Sequence, residues 1–480
     1  MRIDCALRLS AEFMETVAPI PPTSAATRRF PFWLRVFEPA APAPVMLTEP
    51  AEIQRTYRTW QWRVLVSSII GYATFYFVRK NLSTAMPIME EDLGISKTEL
   101  GLFLTLHGVL YGVSKFVNGF FADRSNARAF MVIGLVASAV MNVFFGLSSG
   151  VTTLGVVWMI NGWAQGMGFP PCARLLTHWF PPKQLATKMS IWNISHQIGA
   201  GAIVVLCGYL VKVNWRMCFL VPAAIALVIA VFLWLTLPDT PPSVGLPEVE
   251  GTQTKTASEE RDENQIAFLL ENVFRNKYIW IFSVSNLFVY ILRYTVFDWG
   301  TSFLKQARHL DITHASWMVA GFEIAGLIGA LLAGWMTDKF FGGRAMRACV
   351  FYMILAGVSI FLFWKMAGES AFLNATLLCS MGFFIYGPQC LIGIAAANIA
   401  TKRAAATAVG LTGFFGYLST LFSGVGFGAL VKSQGWNAGF AGLLVIAAIG
   451  TVLCLFAWPA KAHGYSENAG GCSARNPDLS

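Results

Sequence analysis

The sequence predicts an all-α polytopic membrane protein, with twelve transmembrane helices in two pseudo-symmetric six-helix bundles. Three observations carry this. The 480 residues are 55% hydrophobic and 13% charged, where soluble domains carry about 25% charged residues. Apolar runs of about 20 residues, the length a helix needs to cross a bilayer, recur along most of the chain. The second half also repeats motifs of the first at offsets of 214 to 221 positions, the mark of a duplicated unit. A large soluble helical protein would instead show polar outer faces, and most of these segments are apolar all round.

Taken in order, residues 1–60 hold no membrane-length apolar run and read as a disordered cytoplasmic tail. Pro39 to Pro44 is unstructured by composition. No basic stretch precedes an apolar core, so no cleaved signal is expected, and Met46 is an alternative start. Six spans follow at 64–86, 99–121, 129–148, 152–175, 187–211 and 216–237, forming a bundle over 61–237. Pro170 and Pro171 should bend or end the fourth. The polar stretch 238–276, opening on Pro238-Asp-Thr-Pro-Pro242, reads as a cytoplasmic linker. The second bundle, 277–460, holds spans at 278–302, 315–337, 346–366, 371–397, 405–431 and 438–459. A cytoplasmic tail, 461–480, ends the chain.

Fifteen Lys and Arg flank the spans on one side, among them Arg63, Arg128, Lys277, Lys339 and Lys402. Seven lie on the other, including Lys97, Lys212 and Lys305. This bias places both termini and the linker in the cytoplasm and the chain in the inner membrane. It also accounts for the net charge of +9 without nucleic acid. The nine cysteines show no CxxC and no metal spacing. No nucleotide loop, Ser/His/Asp arrangement or catalytic carboxylate pair stands out, so neither an enzyme nor a cofactor is expected.

The repeat points to a site. Tyr72, Tyr76 and Arg79 fall at i, i+4 and i+7 on one helical stripe, and Asn286, Tyr290 and Arg293 repeat it 214 positions later. A buried arginine in a span is costly unless it faces protein or water and meets an anion. Arg79 lies 16 residues after Arg63, and Arg293 lies 16 after Lys277. Both therefore sit about 24 Å along their helices, at one depth. Repeat-related helices meeting at a pseudo-twofold axis would bring both guanidiniums to one cavity. Their planar forks suit a phosphate group. The alternative is pairing with a buried acid, for which only Asp298 and Glu323 are available.

Longer stretches carry a resemblance. In the first half they are Phe75-Tyr-Phe-Val-Arg79-Lys80-Asn81, Tyr111-Gly-Val-Ser-Lys115, Asp123-Arg-Ser-Asn-Ala-Arg128, Asn161-Gly-Trp-Ala-Gln-Gly-Met-Gly-Phe-Pro-Pro-Cys172 and Trp192-Asn-Ile-Ser-His196. In the second they are Val289-Tyr-Ile-Leu-Arg293-Tyr, Asp298-Trp299 and Gly410-Leu-Thr-Gly-Phe-Phe-Gly-Tyr417. From about Gln54 to Phe456 the chain resembles the organophosphate:inorganic-phosphate antiporters of the major facilitator superfamily. That family includes glycerol-phosphate and hexose-phosphate carriers and a membrane sensor of hexose phosphate. Tyr386-Gly-Pro-Gln389 and Asp298-Trp-Gly300 are more similar to the hexose-phosphate branch. The charged pair that some hexose-phosphate carriers have in span eleven is missing between Ala404 and Val431.

The resemblance implies a monomeric carrier that exchanges a hexose phosphate such as glucose 6-phosphate for inorganic phosphate, or a sensor acting with a histidine kinase. It places Asn193 and His196 at the substrate beside Arg79 and Arg293. Lys115, on the stripe His107–Tyr111–Lys115, would add charge to the cavity wall, with a structural role as alternative. Tyr72, Tyr76 and Tyr290 offer hydroxyls, or packing. Lys80 faces about 100° from Arg79 and either tunes the cavity or snorkels. Tyr111, Glu323, Tyr386 and Tyr417 are secondary candidates, and His107 reads as a packing histidine. Asp123, Arg124 and Arg128, with their repeat mates Asp338, Lys339 and Arg344, are expected to latch the two conformations from the cytoplasmic loops.

Overall fold

The computed structural model describes residues 32–122, 125–249, 270–366, 368, 370–400 and 405–460. A short 3-10 helix, Phe32–Phe37, falls in an N-terminal unit of its own. From Pro39 on, the chain is one all-helical unit. Its first half comprises α1 (Pro50–Phe77), α2 (Leu82–Leu93), α3 (Lys97–Ala122), α4 (Ala127–Leu147), α5 (Val151–Gln165), α6 (Phe169–Trp179), α7 (Pro182–Asn193), α8 (Ser195–Leu210) and α9 (Met217–Thr236). The second comprises α10 (Lys277–Arg308), α11 (Ile312–Phe341), α12 (Ala345–Met366), α13 (Ala371–Ile399), α14 (Ala405–Leu418) and α15 (Phe427–Phe456), with a π turn, Leu421–Gly426, between the last two.

Among the described residues nine helices are long and apolar enough to cross a membrane. One of these stretches, Thr407–Phe456, contains spans eleven and twelve, joined at Gly435, whose φ of 80° turns the chain. Spans one and four are each broken into two helices, which restores the twelve crossings.

The break in span one corrects the sequence expectation of a single helix over 64–86. α1 stops at Phe77 and α2 starts at Leu82. A freed carbonyl inside a bilayer survives only where protein satisfies it. Here Val78 O accepts from two buried side chains of neighbouring helices, Asn142 Nδ2 at 2.9 Å and Asn161 Nδ2 at 2.8 Å. Asn81 closes the knot, donating to Asn142 Oδ1 and to Cys218 O, each at 2.8 Å. All three asparagines are fully buried. Span four breaks over Gly166–Gly168, and Pro170 and Pro171 lie in the first turn of α6, where a missing N–H costs nothing.

The expected disordered tail is also corrected in its last part. Residues 50–60 belong to α1, opened by Pro50. Pro39 to Pro44 takes no regular element, but its backbone is tied down. Ala40 N donates to Asp239 Oδ2 at 3.0 Å and Ala43 N to Pro242 O at 2.8 Å. Asp239, buried at the start of the linker, also accepts from Ala127 N at 2.8 Å and Arg174 Nη1 at 3.1 Å. An acid at a helix N-terminus and beside a guanidinium is doubly stabilised, so this junction holds the first bundle's basic-loop end together.

Among the described residues the main helix contacts between the halves run from mid-depth to one end. α8 packs on α11, α2 on α10, and α3 on α14, α15 and the π turn. The polar contacts between halves start at cavity level and run toward the end that carries Glu90, Lys212 and Lys305. Lys212 pairs with Asp311 at 3.0 Å, Gln306 donates to Glu90 at 2.7 Å, Thr313 donates to Gly208 O at 2.9 Å, and Lys305 pairs with Glu91. Among the described residues no hydrogen bond or ion pair joins the halves at the end carrying Arg128, Lys339 and Arg344.

Candidate functional site

Where the halves meet at mid-depth they enclose a cavity. Arg79, from the broken turn after α1, and Arg293, from the unbroken α10, both line it, with Tyr76, Tyr111, Tyr294 and Tyr417 among its walls. The repeat-related arginines are therefore mounted differently. Arg79 N and Lys80 N both turn back to Tyr76 O, at 3.2 and 2.9 Å, so the turn that the asparagine knot fixes aims this guanidinium. Arg293 sits 7% exposed inside a continuous helix of 32 residues.

Aromatic faces surround both charges. The Arg79 guanidinium carbon lies 4.0 Å from the Tyr76 ring centre and 4.9 Å from that of Tyr111. That of Arg293 lies 4.6 Å from Tyr386, 5.6 Å from Tyr294 and 5.9 Å from Tyr290. Ring faces attract a cation without neutralising it. Arg293 Nε donates to Tyr386 Oη at 2.9 Å. Arg79 Nε is buried with no hydrogen-bond partner. Among the described residues neither arginine forms a salt bridge.

Lys80 behaves otherwise. Its Nζ lies 2.7 Å from Asp298 Oδ1, across the interface between the halves, and Ser83 Oγ donates to the same oxygen at 3.0 Å. Of the two readings of Lys80, snorkelling fails: its ammonium is held in the interior by Asp298, and both residues line the cavity. The acid considered as a partner for an arginine is taken by the lysine instead.

Lys115 sits against the ring of Phe169 at 3.9 Å and donates to Tyr417 Oη at 3.2 Å, another contact between halves. Tyr111 packs edge-on against Tyr417 at 5.1 Å, and Tyr72 Oη lies 3.4 Å from Tyr111 Oη. His196 stands behind this layer, its ring 4.9 Å from Tyr72 and 5.5 Å from Tyr76, with Nδ1 2.7 Å from Asn193 O. Asn193 reaches the cluster through that carbonyl; its side chain is exposed. Tyr72, Tyr290, Glu323 and Tyr386 back the wall without lining it.

The lining residues missed or undervalued in the sequence include Tyr294, His107, Trp158 and Thr420. Tyr294 follows Arg293 and is the repeat mate of Lys80, a signal the offset of 214 already contained. His107, read as packing, lines the cavity. Of the loop residues, Asp123 and Arg124 lie outside the described residues. Arg128 stacks on Trp234 and Lys339 on Trp335, each within its own half, at 4.8 and 4.6 Å. Among the described residues, Arg128, Asp338, Lys339 and Arg344 form no ion pair across the halves in this conformation. Among the described residues the ion pairs that bridge the halves are Lys80–Asp298 at cavity level and Lys212–Asp311 and Lys305–Glu91 at the opposite end.

Comparison with known proteins shows the family and the fold. A family model described as Major Facilitator Superfamily matches residues 68–424. A probable hexose phosphate transport protein of Chlamydia trachomatis is 37% identical, covering 91% of this chain and 99% of its own length. The glycerol-3-phosphate transporter of Bacillus subtilis is 37% identical, covering 88% and 98%. The membrane sensor protein UhpC of Escherichia coli is 36% identical, covering 86% and 96%. Among solved structures, a bacterial homologue of the human lysosomal transporter Spinster superposes with a TM-score of 0.70 at 15% identity, over 86% of this chain and 98% of its own.

Proposed function

Because the chain belongs to the organophosphate:inorganic-phosphate antiporter family of the major facilitator superfamily, we propose that it carries a phosphorylated sugar, a hexose phosphate such as glucose 6-phosphate, across the inner membrane in exchange for inorganic phosphate. One observation carries this reading: two arginines, one from each half, line a single cavity with no carboxylate in salt-bridge contact, while the neighbouring lysine is neutralised by Asp298. Uncompensated guanidiniums held among aromatic faces make a cavity that favours a dianion with several acceptor oxygens.

The mechanism follows from electrostatics. With the cavity empty, the two positive charges repel and resist closure of the halves around them. A phosphate monoester or inorganic phosphate relieves that repulsion, so the loaded carrier reorients and the empty one is slow, which couples the two fluxes. The anion drives this only through its differential affinity for the states. Lys115, His196, Tyr72, Tyr76, Tyr290 and Asn193 support the anion site from the wall and the layer behind it. The charge bias of the loops places both termini in the cytoplasm, so the conformation described faces inward and is closed outward. The carrier acts as a monomer in the lipid bilayer and has no catalytic role.

Phosphate counterflow in proteoliposomes, run against a panel of organophosphates, tests the reading. Arg79→Lys or Arg293→Lys keeps the charge and loses the fork, and each should abolish uptake of labelled phosphate. Unchanged exchange in both would sink the model. The identity to a membrane sensor supports a second reading, in which the same site reports external hexose phosphate to a histidine kinase. A sensor binds the sugar phosphate but gives no counterflow.

A further inference from the structure

His107 shares the cavity with Arg79 and Arg293, yet no hydrogen bond joins it to either among the described residues. Its place is fixed three ways. A Cβ added at Gly162 would lie 2.6 Å from His107 O, so α3 and α5 meet backbone to backbone at this residue. The imidazole stacks on Trp158, centroids 5.2 Å apart at 29°. Nδ1 lies 3.2 Å from Trp158 O. A carbonyl only accepts, so Nδ1 carries the proton, and Nε2 of the neutral ring is left as an acceptor. Nε2 is buried and has no partner, and the indole Nε1–H of Trp158, which lines the same cavity, has none either.

An unpaired acceptor and an unpaired donor, on two stacked rings that line one cavity, match a group that both gives and takes a hydrogen bond, which is a hydroxyl. We propose that His107 reads a hydroxyl on the carbon skeleton of the organophosphate: Nε2 accepts the O–H while the phosphate lies on the two arginines. The assignment rests on the phosphate site and sugar-phosphate substrate proposed above and adds a specificity-determining residue, one that favours a hydroxylated ester over an alkyl phosphate. A site built to bind a hydroxyl penalises the analogue without one, because its own polar atoms then stay unpaired.

The test is calorimetry on the purified full-length protein with inorganic phosphate, glucose 6-phosphate and butyl phosphate. Wild type should prefer glucose 6-phosphate to butyl phosphate. His107→Asn puts an amide nitrogen where Nδ1 stands, keeps the bond to Trp158 O and deletes Nε2, so the preference should fall about five- to tenfold. His107→Gln supplies an acceptor near the Nε2 position and should hold the preference to within about twofold. Equal wild-type affinity for the two esters overturns the proposal without any variant. So does an unchanged preference in His107→Asn, or the same loss in both variants. Wild-type protein that binds none of the three ligands overturns the phosphate site as well. Binding that fails in Arg79→Lys, with the preference intact in His107→Asn, overturns the His107 assignment alone.

Discussion

Replacing Gly101 with alanine should force the two halves apart at their closed end. Gly101 on α3 faces Gly424 in the π turn of the other half. A Cβ on Gly101 would lie 2.8 Å from the Gly424 carbonyl carbon and 3.0 Å from Val425 Cα, where ordinary contact starts at 3.4 Å. The atoms it meets are backbone, so no side chain can swing aside. Thr105 fastens the same spot, donating to Thr420 O at 2.7 Å and accepting from Val425 N at 2.9 Å. Overpacking of this kind costs about 1–3 kcal/mol. Because the clash exists only while this end is closed, the cost falls on one conformation and shifts the balance about 5- to 150-fold toward the other. Hydrogen–deuterium exchange on peptides covering 97–105 and 421–428 reads the opening as faster uptake. Gly119→Ala, on the same helix but with nothing within 4 Å of the added Cβ, is the control. Unchanged exchange in folded Gly101→Ala, or an equal change in Gly119→Ala, would refute the reasoning.

Asp298→Asn leaves Lys80 buried and charged without its partner, which should lower stability by about 3–5 kcal/mol. Melting of the purified protein measures it, and Lys80→Gln in the same chain should recover most of the loss. Asn142→Ala removes one of the two donors to Val78 O and one of the two acceptors for Asn81. It should cost about 1–3 kcal/mol and also weaken inorganic-phosphate affinity, because Arg79 rides on the turn it holds; stability lost with affinity unchanged would show that the knot does not aim the arginine. Lys305→Ala removes an exposed pair with Glu91 and should change melting by no more than about 1 kcal/mol, a loss well above that showing the closed end to depend on it.

The asparagines were visible in the sequence only as polar residues inside apolar runs. Their meaning depends on three helices converging on one carbonyl, and no periodicity reports that. The break after Phe77 was hidden for the same reason, since its local sequence carries neither glycine nor proline to announce it. Tyr294 could have been found, because it repeats the position of Lys80. The partner of Lys80 could not, because Asp298 lies 218 residues away on another helix and competes with Glu323 for three cations on paper.

By itself the sequence determined the twelve spans, the duplication and the two arginines at matching depth. Span length, hydropathy and repeat offset are one-dimensional quantities, set by bilayer thickness and by the rise of a helix. Only the tertiary structure decided which buried charges stay uncompensated. Whether a cation finds an anion depends on distances of a few ångströms between helices far apart in the chain. That packing gave Asp298 to Lys80, ringed Arg79 and Arg293 with tyrosines, and closed the molecule at the end opposite the loops expected to latch it.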